Sequence, residues 1–273
     1  MKIARAITVL VFVLTIAIWF YGENTAKKKD AVPPVIESEI DELHVDAASV
    51  KDEILKEGLR ASDDVDGDIT DQIIVGTVSP FKEKGVSDIE YVVFDSNNNV
   101  GRYERTVYFE NYESPKLHLS KALLYEVNGR IAISDRLTAT DMLEGDVSER
   151  IRFSSVNLST TEEGTYRLNV EVKNAYGDSV KYQLPMNLVR YNCDQEHIQL
   201  KDYLIYVEKG QELDPESYIH KVTDFKGEAV DFENIRITRE VDLTKSGTGQ
   251  ICYELLEGEE VVYATYLTVI VTE

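Results

Sequence analysis

The sequence predicts an all-β chain: three tandem β-sandwich modules behind one N-terminal transmembrane helix. Three observations predict it. Apolar and polar residues alternate over long stretches, most cleanly from Tyr166 to Lys173, as in a strand with one buried face. An acidic motif recurs at a near-constant interval, the mark of a repeat architecture. An apolar run follows a basic start at the N-terminus, the pattern of an export signal.

Composition narrows the function classes. The 273 residues carry 29 Lys and Arg against 50 Asp and Glu, a net charge of −21. Phosphate contacts need clustered basic side chains, so nucleic acid is excluded as a partner. A hydrophobic fraction of 43% argues against wholesale disorder. With two Cys and four His, a Cys-rich zinc site and a dense disulfide framework are excluded.

The first element is the apolar run from Ala6 to Tyr21, behind Lys2 and Arg5 and ahead of Lys27, Lys28 and Lys29. It is slightly shorter than the roughly 20 residues of a comfortable spanning helix. Trp19 and Tyr21 stand at its outer end, where interfacial aromatics favour retention in a membrane. Asn24-Thr25-Ala26 makes a poor cleavage site. Residues 1–22 are therefore expected to be a signal-anchor, with 23–32 as a linker. The acidic, β-rich remainder suits modules held outside the cell by a single pass through the cell membrane. Secretion after signal cleavage is the alternative.

The repeats follow. Ala61-Ser62-Asp63-Asp64-Val65-Asp66-Gly67-Asp68-Ile69-Thr70 returns as Ala139-Thr140-Asp141-Met142-Leu143-Glu144-Gly145-Asp146-Val147-Ser148. Val222-Thr223-Asp224-Phe225-Lys226-Gly227-Glu228 is a weaker third copy. A second marker keeps step: Gly85, Gly164 and Gly247 each open a run with alternating apolar residues. The register gives modules at 33–111, 112–190 and 191–273. Each closes with a hairpin, whose turn is Asp95-Ser96-Asn97-Asn98-Asn99 in the first copy and Asn174-Ala175-Tyr176-Gly177-Asp178 in the second. Gly177 and Asn98 hold the same place, since Asn tolerates positive φ best after Gly. Val50 to Glu57 is helix-like. The links between modules are short and semi-rigid.

These residues resemble a known family. Asp63-Asp64-Val65-Asp66-Gly67-Asp68-Ile69-Thr70, Gly85, the strand and turn from Tyr91 to Ser96, and Arg105-Thr106-Val107 are similar to the bacterial Ig-like repeat first named from a pesticidal crystal protein. The second copy matches less closely. The third rests on Val207 to Pro215, Val222-Thr223-Asp224 and Gly247, with the D-G-D core lost. The resemblance covers nearly everything after residue 33. It implies tandem Ig-like sandwiches in secreted or surface-anchored bacterial proteins, acting as spacer, adhesive or accessory modules without catalysis.

Candidate site residues are few. Asp64, Asp66 and Asp68 place hard oxygen ligands at alternate positions, which suits calcium. The EF-hand form fails, because the glycine falls at the fourth position and Val75 stands where a Glu is needed. The competing reading is a turn in which these carboxylates bond local amides. Ser79-Pro80-Phe81-Lys82, Ser96-Asn97-Asn98 and Lys245-Ser246-Gly247 echo a penicillin-binding triad, but lack its buried helix. His44, His118, His197 and His220 are scattered. Cys193 and Cys252 could bridge the third module, or stay as free thiols. Cys252 lies between Ile251 and Tyr253, which are assigned inward, so it is expected to face outward.

The expected function is a membrane-anchored, extracellular, non-catalytic module for surface interaction, adhesion or spacing. Its partners would be the membrane, through the N-terminal helix, and an extracellular protein or glycan. No cofactor is expected beyond the calcium considered at Asp64, Asp66 and Asp68. The alternative is a cell-wall or carbohydrate-binding accessory protein, for which Tyr203, Tyr206, Tyr218, Tyr263 and Tyr266 would supply an exposed aromatic platform.

Overall fold

The computed structural model describes residues 11–18, 30–155 and 159–273. The described chain is mostly strand and turn, and it forms two compact units, Met1–Glu110 and Asn111–Glu273.

In the first unit β1 (Val35–Ser38) and β2 (Glu42–Asp46) lead into one helical turn, Asp52–Leu55, within the stretch expected to be helix-like. Then come β3 (Leu59–Asp63), β4 (Gly67–Asp68), β5 (Ile74–Val78), β6 (Val86–Phe94) and β7 (Val100–Glu110). They make two sheets, β1-β3-β4 and β2-β7-β6-β5. β2 runs parallel to β7, and the other pairings are antiparallel. The chain thus changes sheet between β1 and β2, which ties the two layers together. Alternation in β6 sets the core: Ile89, Tyr91 and Val93 are buried, while Glu90 and Val92 are partly exposed. The turn before β7 holds Asn98 at φ 64°, and Gly177 at the equivalent place of the second copy has φ 87°.

The Tyr91 hydroxyl donates to the Leu55 carbonyl at 2.6 Å. Arg105, only 2% exposed, donates to the carbonyls of Leu55 at 2.6 Å and Glu57 at 2.8 Å. These carbonyls close a helical turn and lack helical partners, so the guanidinium caps them.

The second unit begins with β8 (Lys116–Leu119), β9 (Leu124–Glu126), β10 (Leu137–Asp141), β11 (Gly145–Asp146), β12 (Arg152–Ser155), β13 (Gly164–Lys173) and β14 (Ser179–Val189). It continues with β15 (Ile198–Leu200), β16 (Leu204–Glu208), β17 (Ile219–Val222), β18 (Ile235–Glu240), β19 (Gly247–Glu257) and β20 (Glu260–Thr272). The sheets are β11-β10-β8 with β12-β13-β14-β9, and β15-β17 with β16-β20-β19-β18. β9 runs parallel to β14 and β16 parallel to β20, as β2 does to β7. The small sheet of the third copy lacks the strand that the Gly-Asp pair forms as β4 and β11. At that place Thr223 and Ala229 make a single bridge. The buried apolar side chains of this unit form one cluster, from Leu117 to Val271, which runs through both the second and the third copy.

The expected membrane anchor is corrected. Among the described residues no helix is long and apolar enough to cross a membrane. The described helical residues, 11–18, rise about 12 Å at about 1.5 Å per residue, less than a hydrocarbon core of roughly 30 Å. The single-pass placement with modules outside the cell membrane therefore lacks its structural basis. Residues 1–10 of that segment, 19–22, and 23–29 of the linker lie outside the described residues.

Candidate functional site

The acidic motif is the sequence feature with the most chemistry, and β3 and β4 place it at a tight turn. Asp63 Oδ1 accepts from the amides of Val65 at 3.0 Å and Asp66 at 2.9 Å. Asp68 Oδ1 accepts from the Thr70 amide at 3.0 Å. The Thr70 side chain holds the Asp68 carboxyl below its usual range, because hydrogen bonds favour the charged form. Asp66 Oδ2 reaches across to the Ser96 amide at 2.7 Å, pinning the turn of the small sheet to the hairpin tip of the large one.

The second copy repeats this wiring. Asp141 Oδ1 accepts from the amides of Leu143 and Glu144, and Asp146 Oδ1 from that of Ser148. Glu144 Oε2 takes the part of Asp66 and accepts from the Ala175 amide at 2.6 Å. In the third copy Asp224 Oδ1 accepts from the amides of Lys226 and Glu228.

The copies differ in what meets the second oxygen of the leading Asp. In the second copy Asp141 Oδ2 lies 2.9 Å from the Tyr112 hydroxyl and 3.0 Å from Asn174 Nδ2, both donors. The Tyr112 hydroxyl is also 3.0 Å from Asp178 Oδ2. Burial first, and then these carboxylates, push its pKa up. In the first copy Asp95 stands where Asn174 does, and its carboxylate accepts from the Asn97 and Asn99 amides and from Asn99 Nδ2. Among the described residues no phenol is hydrogen-bonded to Asp63 or Asp95. Asp30, Asp63 and Asp64 instead bring carboxylate oxygens within 4.8 Å of one another. Asp30 Oδ2 and Asp63 Oδ2 are buried without a hydrogen-bond partner.

Of the three expected calcium ligands, only Asp64 belongs to this cluster. Asp66 and Asp68 are drawn off by Ser96 and Thr70. Asp30 and Asp63 carry no such signal in the sequence: Asp30 lies far from the motif, and Asp63 stands one residue outside the alternation.

The remaining candidates are used locally. Ser79 Oγ accepts from the Asp88 amide at 2.9 Å, Lys82 Nζ donates to Asp88 Oδ1 at 2.7 Å, and Lys245 pairs with Asp242. His44 stacks on Tyr108, His118 meets Thr140, and buried His197 sits between Phe225 and Tyr263. Cys193 and Cys252, considered for a disulfide, are both free and buried. Cys193 Sγ faces the Leu124 carbonyl at 3.8 Å, whereas Cys252 lies opposite Tyr266 on the neighbouring strand. Cys252 lies on the outer side of β19, away from its own copy's core, yet is only 6% exposed because that side is covered. Burial raises both thiols, Cys252 to about 12.

The expected aromatic platform is not exposed. Tyr203 and Tyr263 are buried, and Tyr206, Tyr218 and Tyr266 pack against the apolar core.

Residues 198–266 match the profile of the bacterial Ig-like domain (group 3). Over 212 residues, 73% of the chain, the sequence is 24% identical to the pesticidal crystal protein Cry22Aa of Bacillus thuringiensis. The chain spans 27% of that protein's length. Among solved structures, a CBM51-2 and INT-domain structure of Clostridium perfringens ZmpB, in complex with GlcNAc, is 14% identical, with 56% of this chain and 27% of that one covered and a TM-score of 0.23. The Drosophila N-cadherin EC1-3 structure is 13% identical, with 87% and 99% covered and a TM-score of 0.30. The profile match supports an Ig-like family, without singling out the pesticidal type. It falls on the third copy, where the D-G-D core is lost, so it rests on the strand pattern more than on the acidic turn.

Proposed function

We propose that the chain is a non-catalytic Ig-like binding or adhesion protein built of three sandwich modules, 33–111, 112–190 and 191–273. What supports this is where the reactive side chains go. The acids of the repeated motif serve as turn pins, and Ser79, Lys82, Lys245, His44, His118 and His197 meet partners within their own copies. Binding would then use loops and strand edges, with no bond made or broken. The protein-binding reading is preferred to the glycan one because the tyrosines proposed for sugar stacking are spent on the core. The test pairs two assays on the full chain. A glycan array should stay blank, and model ester, glycoside and casein substrates should show no turnover. Saturable glycan binding would favour the accessory role, and turnover that copurifies with the folded chain would overturn the reading.

A divalent cation in the first copy is a second reading, favoured by the two buried, unpartnered carboxylate oxygens. Oxygen-only donors suit calcium. Asp30, Asp63 and Asp64 would hold it. Calcium chloride should raise the unfolding temperature of the full chain, and Asp63→Asn should abolish the response. In chelator the same variant should be the more stable, since its amide keeps the turn acceptor and removes one of three clustered charges. No calcium response in the parent chain would refute the cation.

A further inference from the structure

We infer that the second and third copies are one cooperative body without a hinge, held in register by a buried amide pair, Asn187 with Gln250. This does not depend on the functional reading above. Parity along the strands carries the first part. In β14 Leu184, Met186 and Leu188 face the core of the second copy, so Gln183, Pro185 and Asn187 face outward. In β19 Ile251, Tyr253 and Leu255 face the core of the third, so Thr248, Gln250 and Cys252 face outward. Yet Pro185, Asn187, Gln250 and Cys252 are all buried. Each outward face is covered by the other, and β14 packs on β19.

The polar atoms in this seam are satisfied. Thr165 Oγ1 donates to Asn187 Oδ1 at 2.7 Å, Asn187 Nδ2 to Gln250 Oε1 at 2.9 Å, and Gln250 Nε2 to Glu240 Oε2 at 2.6 Å. Thr248 Oγ1 donates to the Gln183 carbonyl. Asn187 and Gln250 are each 3% exposed. A buried amide that slides out of register loses its partner and keeps its desolvation cost, so the pair selects one docking geometry. Further contacts seal the ends. Tyr206 of β16 accepts the Leu117 amide of β8 at 2.7 Å, and Cys193 lies on Leu124.

Hydrogen exchange of the full chain tests this. With increasing urea, amides of β13 and β14 should converge with those of β19 and β20 on one opening reaction. Leu267→Ala, a cavity in the core of the third copy, should lower protection in β13 by the same factor as in β20, on the order of 100-fold. Adding Gln250→Ala should break that link and leave β13 protected. If β19 and β20 open separately from β13 and β14 in the parent chain, the inference is overturned. If Leu267→Ala proves too unstable to study, the urea series on the parent chain decides alone.

Discussion

Arg105 shows how a single side chain is spent on structure. Its guanidinium sits in the core of the first unit without a carboxylate and donates to two carbonyls. Arg136 and Arg239 do similar work in the second unit, at Ala122 and Leu124 and at Leu213. Removing such a donor strands buried acceptors. Arg105→Ala should destabilise the first unit by about 2–4 kcal/mol, read by urea unfolding, and Arg105→Lys should rescue little because it lacks the fork. An effect near zero would mean that water replaces the guanidinium. The thiols give a second prediction. Cys193 and Cys252 should resist labelling in the native chain and react together on unfolding without reductant, since burial keeps both protonated. Silence in denaturant would indicate a disulfide.

At the level of the element, the acidic turn is a pH-sensitive fastener. Asp68 and Asp146 are held below their usual range by Thr70 and Ser148, and Asp224 by the Glu228 amide. In Asp95 burial works the other way, but the bonds from Asn99 and Asn97 outweigh it. Each folded value lies below the unfolded one of about 4, so their stabilisation is complete above about pH 4 and is lost as pH falls through the folded values. The unfolding midpoint should be flat near neutrality and fall below about pH 4. A midpoint that rises on acidification would contradict the pins. These turns and the hairpins were legible because their signals are local: alternation in β6 and β13, Gly or Asn at positive φ, and Asp two residues before an amide. The Asp30 and Tyr112 partners were not, since nothing local joins them to the motif. The covered side of β20 did leave a trace. Leu267-Thr268-Val269-Ile270-Val271 is buried without alternation, as a strand packed on both faces should be.

For the whole molecule, the repeat in sequence and the unit of folding part company. Three copies of the motif are visible, but the chain forms two compact units, because the outer faces of β14 and β19 bury each other. Periodicity reports which residues face a module's own core and is blind to what covers the other side. Scanning calorimetry of the full chain tests this most directly. Two transitions, one for Met1–Glu110 and one for Asn111–Glu273, are predicted, with the larger enthalpy in the longer unit. Three separable transitions of similar enthalpy would contradict it.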